Sequence, residues 1–243
     1  MKVNISVDME HDCPPYATTY RGVEEGTPKI LAVLAQEQVS ATFFTTGDVA
    51  RKHPEMVRQI VSQGHELGCH GDTHTLFSKM SWEVARQEIE QSSATLRAFA
   101  KVHSFRAPAL DFPPEYVALL RESGYTVDSS QPTIESWYTR PELSPSLSRI
   151  PASVPAWVLR TQPTLLLGKL LCGVYEAVDR PVVLYVHPWE FVDMSQSGIR
   201  FRSRLFTGER VLRGFHRLIR HLKARKSNFL RMDDLAAALL KER

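Results

Sequence analysis

Two histidines, His70 and His74, stand four residues apart in the segment His70-Gly71-Asp72-Thr73-His74. Imidazoles at this separation converge on one point if a helical turn follows, and neutral imidazole suits zinc, cobalt or nickel. Such a pair needs a third ligand, and a catalytic site keeps one position open for water. Carboxylates are available in Asp8-Met9-Glu10-His11-Asp12. Alternation along a strand puts Asp8 and Glu10 on one side, so one can bind metal while the other moves protons. Asp12 shares that side if the strand continues. His65-Glu66 lies close by, but its spacing to His70 does not make H-E-x-x-H. His187 follows the apolar run 182–186. Its ordinary pKa is near neutrality, which suits a general acid. Arg106 ends another short run and could fix the carboxylate of Asp8.

Strand-like runs at 3–7, 41–45, 66–69, 102–106, 125–128, 182–186 and 228–232 alternate with helix-like segments. Thr27-Pro28 reads as a cap and first turn. Helices are predicted from Pro54, at 82–100 after Ser81, and at 114–123, 165–178 and 208–226. A last one is capped by Asp233. About seven strand–helix units argue for parallel strands with crossover helices, and the unit count favours a (β/α) barrel over an open sheet. No linker divides the chain, so residues 1–243 read as one domain. In a barrel the active site forms where strands end. The acids near Asp8, the histidine pair, Arg106, Asp128 and His187 all fall at such ends. Residues 131–163, rich in proline and serine, read as loops.

The net charge of +3 is too small to imply nucleic acid. Cys13, Cys69 and Cys172 are odd in number and form no CxxC, which argues against a disulfide framework or a thiolate zinc site. The N-terminus lacks a secretory h-region and no run approaches ~20 apolar residues, so a cytoplasmic location is expected.

Taken together, the motifs resemble the carbohydrate esterase family 4 polysaccharide deacetylases, the NodB homology domain. The resemblance runs from about Val3 to about Leu235. It rests on Ser6-Val7-Asp8-Met9-Glu10, the His70–His74 segment, Phe105-Arg106-Ala107-Pro108-Ala109, Tyr125-Thr126-Val127-Asp128-Ser129-Ser130 and Leu184-Tyr185-Val186-His187. His187-Pro188-Trp189-Glu190 and the arginines at 200, 202 and 204 look like an exopolysaccharide-associated subgroup. The resemblance implies a distorted (β/α) barrel of seven or eight parallel strands. It implies a metal-dependent hydrolase that removes an N-acyl group from an amino sugar in a poly- or oligosaccharide. A divalent metal, zinc with cobalt or nickel as alternatives, would be held by Glu10, His70 and His74. Asp8 would be the base, oriented by Arg106. His187 would protonate the leaving amine, the Ala109 N–H would stabilise the oxyanion and Leu184 would line the acetyl pocket.

Met9 separates Asp8 from Glu10 where many members carry adjacent aspartates, which leaves Asp12 a rival ligand. Ala109 stands where many carry tyrosine. Trp137, Tyr138, Trp157 and Trp189 could stack on sugar rings. Tyr20-Arg21-Gly22-x-x-Glu25-Gly26 resembles a loop of deformylases acting on lipid-linked aminoarabinose, which makes a lipid-linked amino sugar the rival substrate. A metal-free allantoinase-like amidohydrolase and a non-catalytic sugar-binding protein are the other readings. Arg200, Arg202 and Arg204 could face one way on an extended segment. The 208–226 helix carries a basic face opposite its apolar stripe, a pattern that fits peripheral membrane contact or, more simply, packing on the barrel.

Overall fold

Strand β1 (Lys2–Met9) is buried on both faces, as a central parallel strand must be. Val3, Ile5, Val7 and Met9 are fully buried in the largest apolar cluster, with Ile30 and Leu34 of α1 (Thr27–Glu37). The alternate residues Asn4, Ser6 and Asp8 point the other way and make side-chain hydrogen bonds. Burying these polar groups is tolerable only because they are paired.

In this computed structural model, residues 1–131, 140–155, 158–159 and 166–242 are described. The remaining strands are β2 (Thr42–Thr45), β3 (Glu66–Cys69), β4 (Ser104–Phe105), β5 (Val127–Asp128), β6 (Ser148–Arg149), β7 (Val154–Pro155), β8 (Val182–Val186) and β9 (Asn228–Phe229). Eight of the nine, all paired in parallel, follow one path in the order β6-β5-β4-β3-β2-β1-β8-β7. The ninth, β9, pairs with the start of β1. The two ends of this path, β6 and β7, are joined by residues 150–153 alone, so the sheet must curl until its edges nearly meet. The result is a distorted (β/α) barrel with a seam. Strands β6 and β7 fall where the sequence reads as loops, because two residues are too few to show a period.

Helices α2 (Gly47–Lys52), α3 (Pro54–Ser62), α4 (Trp82–Arg97), α5 (Val117–Glu122), α6 (Leu166–Ala177), α7 (Phe201–Arg204), α8 (Glu209–Ala224) and α9 (Met232–Lys241) complete the described elements. Ser81 caps α4 as predicted, accepting from the Val84 N–H at 3.4 Å. Thr27 does not cap α1. A π-helical turn, Gly22–Gly26, runs into that helix, and the Thr27 hydroxyl turns back to the carbonyl of Gly22. The segment with Arg200, Arg202 and Arg204 is not extended either, since α7 winds it into a helical turn. Helix α8 buries its stripe of Val211, Phe215, Leu218, Ile219 and Leu222 against the barrel. No helix among the described residues is long and apolar enough to cross a membrane. Trp137, Tyr138 and Trp157 lie outside the described residues.

Helix α9 is capped from across the barrel. Glu66 on β3, rather than Asp233, accepts from the backbone N–H groups of Met232 (2.7 Å) and Asp233 (3.3 Å). Glu66 also accepts from Thr42 and Ser104. Burial and the nearby charge of Asp233 push its carboxyl up to about 7. The folded state therefore holds a proton that the unfolded chain loses near pH 4.5, so stability falls as pH rises through that window. Glu66→Gln keeps the acceptor oxygen and removes the titration. Its Tm is expected to show less decline between pH 5 and 8 than the parent, a difference on the order of 2 kcal/mol at pH 8. Thermal unfolding at several pH values checks this.

Candidate active site

Every strand runs the same way, so the residues after β1, β3, β4 and β8 gather at one barrel end. Glu10 follows β1, His70 follows β3, Arg106 follows β4 and His187 follows β8. One carboxylate oxygen of Glu10 lies 2.6 Å from Nε2 of His74 and 3.3 Å from Nε2 of His70. Ligand atoms of these three residues all lie within 4.8 Å of one another.

The tautomer of His70 decides what this cluster can hold. Its Nδ1 lies 2.7 Å from the carbonyl oxygen of Arg106, which can only accept, so Nδ1 carries the hydrogen. In that tautomer Nε2 points at a carboxylate oxygen of Glu10, so both atoms can offer lone pairs to one cation. Two imidazole nitrogens and one carboxylate oxygen are a donor set that suits zinc and similar divalent ions. The histidine charges hold Glu10 well below the usual carboxylate range, although burial alone would raise it. Burial lowers His74, but the Glu10 charge outweighs it and the pKa is raised.

The loop between the two histidines is not the helical turn that the spacing suggests. Gly71 and His74 both adopt positive φ, +74° and +63°, and the chain bends back between them. Buried Glu88 on α4 holds the bend by accepting from the backbone N–H of Asp72 (2.9 Å) and Thr73 (2.6 Å). Asp72 is gripped through both oxygens by Arg51. These supports play the part that orienting partners play around metal ligands.

Beside the cluster, fully buried Arg106 donates from Nη1 to Asp8 (2.7 Å) and Ser6 (2.8 Å). Its Nη2 and Nε reach the hydroxyl and carbonyl of Ser129, and its guanidinium lies over the ring of Phe44. Asp8 is thus locked by a cation each of whose nitrogens is engaged.

His187 faces the cluster from β8, its Nε2 4.0 Å from Glu10. Glu190, three residues on, accepts from the His187 backbone N–H (3.0 Å) and lies 3.1 Å from Nδ1. A carboxylate there fixes the hydrogen on Nδ1 and aims Nε2 into the site. Burial would lower His187, but Glu10, Glu190 and Asp8 together push it up to about 9. It is therefore protonated near neutrality.

Residues 11–127 match the family profile described as polysaccharide deacetylase. That segment, a little under half of the chain, is similar to the polysaccharide deacetylase family. A chitooligosaccharide deacetylase of Sinorhizobium fredii is 41% identical over 85 residues, 34% of this chain and 40% of that protein. A peptidoglycan-N-acetylglucosamine deacetylase of Bacillus cereus is 38% identical over 76 residues, 31% of this chain and 28% of that protein. The chain thus spans less than half the length of these curated relatives. A solved structure from Mycobacterium smegmatis, described as a polysaccharide deacetylase, superposes with a TM-score of 0.76 at 22% identity, covering 99% of this chain and 90% of that one.

The structure rearranges several residues singled out from sequence. Asp12 does not approach the histidines. It is buried and accepts from Thr19 Oγ1 (2.6 Å) and the backbone of Arg21 and Gly22, folding the loop after β1. Leu184 does not line the site. It is fully buried on the helix-facing side of β8 with Val186 and Phe215. Strand alternation turns Tyr185 inward instead, 6.1 Å from the ring of His187. Trp189 is buried and stacks on His187 at 5.6 Å, a wall behind that ring rather than a platform for sugar. Asp128 pairs with Arg149, and Ala109 sits exposed in a left-handed turn at φ +53°. Glu190 is the residue that sequence reasoning passed over. Its signal was there, an acid three residues after a histidine with a proline between.

Proposed function

We propose that the chain is one catalytic domain that hydrolyses the N-acetyl amide of an amino sugar within an oligo- or polysaccharide. The observation that carries this reading is the convergence of the Asp8–Arg106 pair, the Glu10–His70–His74 cluster and the His187–Glu190 pair at one barrel end. Glu10, His70 and His74 hold a divalent metal, zinc in preference to cobalt or nickel. When bound, such an ion supplies Lewis acidity to the amide carbonyl and eases loss of a proton from water.

Asp8, fixed by Arg106, accepts the proton of the attacking water. The backbone N–H of Ala109 donates to the tetrahedral oxyanion, a contact typically worth about 3 kcal/mol. His187, protonated and aimed by Glu190, gives its Nε2 proton to the leaving amine.

Acetate released from N-acetylglucosamine oligomers by zinc-loaded protein, followed by mass spectrometry, tests the reading. No acetate from any oligomer length would sink it. Glu10→Ala is expected to lose bound zinc, whereas Asp12→Ala retains it and loses thermal stability; elemental analysis of both variants checks the assignment.

The pH profile carries a further expectation. An ionised Asp8 and a protonated His187 make kcat/KM bell-shaped. In Glu190→Gln one of the charges that raise His187 is gone, so the alkaline limb is expected to move to lower pH while the acid limb stays. Profiles of parent and variant, measured side by side, check this. An unmoved alkaline limb would remove Glu190 from the scheme.

A further inference from the structure

Charge is unevenly spread along this chain. Residues 200–226 contain ten Lys and Arg and a single acid, Glu209, while the whole chain carries only +3. The rest is therefore net negative. In the fold this segment is α7, a short turn and α8. Arg210, Arg213, Arg217 and Arg220 recur at helical spacing, opposite the apolar stripe that packs on the barrel. Arg213, Arg217 and Arg220 are exposed, and no carboxylate among the described residues pairs with them. Over ten residues the stripe extends roughly 15 Å.

At its N-terminal end the stripe meets exposed aromatic rings. Arg210 lies over Phe206 at 4.2 Å, and Arg204 over Phe201 at 5.5 Å. Phe201 is 63% exposed and Phe206 49% exposed. Phenylalanine has no polar tip to satisfy in water, so both rings present apolar surface beside the arginines. A cationic stripe with aromatic rings at one end is complementary to an anionic bilayer. The arginines meet lipid phosphates while the rings enter the boundary below the headgroups. One hydrogen-bonding ring, the exposed Tyr16 under Arg200 at 5.3 Å, borders the two phenylalanines, and no exposed tryptophan does so among the described residues.

We infer that the outer face of α7 and α8 docks the protein on the surface of an anionic lipid bilayer. This interaction lies outside the deacetylase reading and does not depend on it. It does bear on the site's surroundings. The loop that carries Phe201 and Phe206 begins at His187, and Gly208 at its end donates to the carbonyl of Glu190 at 2.8 Å. A docked protein therefore holds its site loop against the bilayer.

The test is sedimentation of the full chain with vesicles, in the absence of any sugar. Binding is expected to vesicles of phosphatidylcholine mixed with phosphatidylglycerol, not to phosphatidylcholine alone, and to be released by raised salt. Each arginine near the surface contributes about fivefold. Arg213→Glu with Arg217→Glu is therefore expected to weaken binding by at least about 25-fold while leaving the unfolding midpoint unchanged. Phe201→Ser with Phe206→Ser is expected to weaken it at constant charge. Equal binding to both vesicle types, or parental binding by the double arginine variant, would overturn the inference. Binding to an anionic polysaccharide with none to vesicles would overturn it too, and would reassign the surface to polymer.

Discussion

His70→Ala is expected to strip the protein of metal and lower turnover at least about a thousandfold, because it removes one of the three proposed ligands, one whose ring N–H is oriented by the backbone carbonyl of Arg106. Outer partners of a ligand are already worth about 10- to 100-fold in affinity, and a ligand itself is worth more. A readout independent of activity is available. Zinc at about a thousand times its Kd should stabilise the parent by about 4 kcal/mol. For a chain of this length that is a rise in Tm of roughly 8–16 °C. In His70→Ala the rise is expected to vanish. The variant should still fold, since alanine leaves only a small gap and one unsatisfied carbonyl at Arg106. A variant that kept the zinc-dependent rise would remove His70 from the metal site.

Arg106→Ala should have the opposite signature, with metal retained and stability lost. The backbone carbonyl that orients His70 survives the substitution, so zinc binding is expected to persist. The side chain does not survive, and with it go the bonds to Asp8, Ser6 and Ser129 and the packing on Phe44. Asp8 is left buried without the guanidinium that donates to it. Breaking a buried pair from one side typically costs 3–5 kcal/mol, a fall in Tm of roughly 10 °C here. Turnover should fall by about 100-fold or more, as Asp8 loses the partner that fixes its oxygens. Arg106→Lys should rescue little, because an ammonium cannot make the same forked set of bonds. Calorimetry with zinc titration separates the two variants. Loss of zinc binding in Arg106→Ala at an unchanged Tm would contradict this assignment of roles.

Much of the site was legible because strand ends concentrate it. The polar residues of β1 alternate with Val3, Ile5 and Val7, and that period alone puts Asp8 and Glu10 on the inner side. Whether Asp12 joined them depended on the strand continuing, and it does not. The loop turns at Cys13, φ +48°, and spends Asp12 on its own backbone. Leu184 failed for a related reason. Three residues before His187 in a strand is the opposite face, however natural the spacing looks in a written motif. The support from Glu190 depends on the 3-10 turn Pro188–Phe191, and the cap on α9 on a glutamate in β3. Neither is a local pattern. The seam strands β6 and β7 are too short for any period to register.

The central place of β1 also sets when this site can form. Val3 pairs with Val182 and with Phe229, so the innermost strand waits for partners from the far end of the chain. Such distant pairings close slowly, because the entropy of a long loop is lost before any contact repays it. Asp8 and His187 therefore meet late in folding, after the more local β2–β3–β4 run has had time to assemble. Until then β1 offers an open, apolar edge. Conditions that delay the last quarter of the chain should favour aggregation over inactive but folded protein.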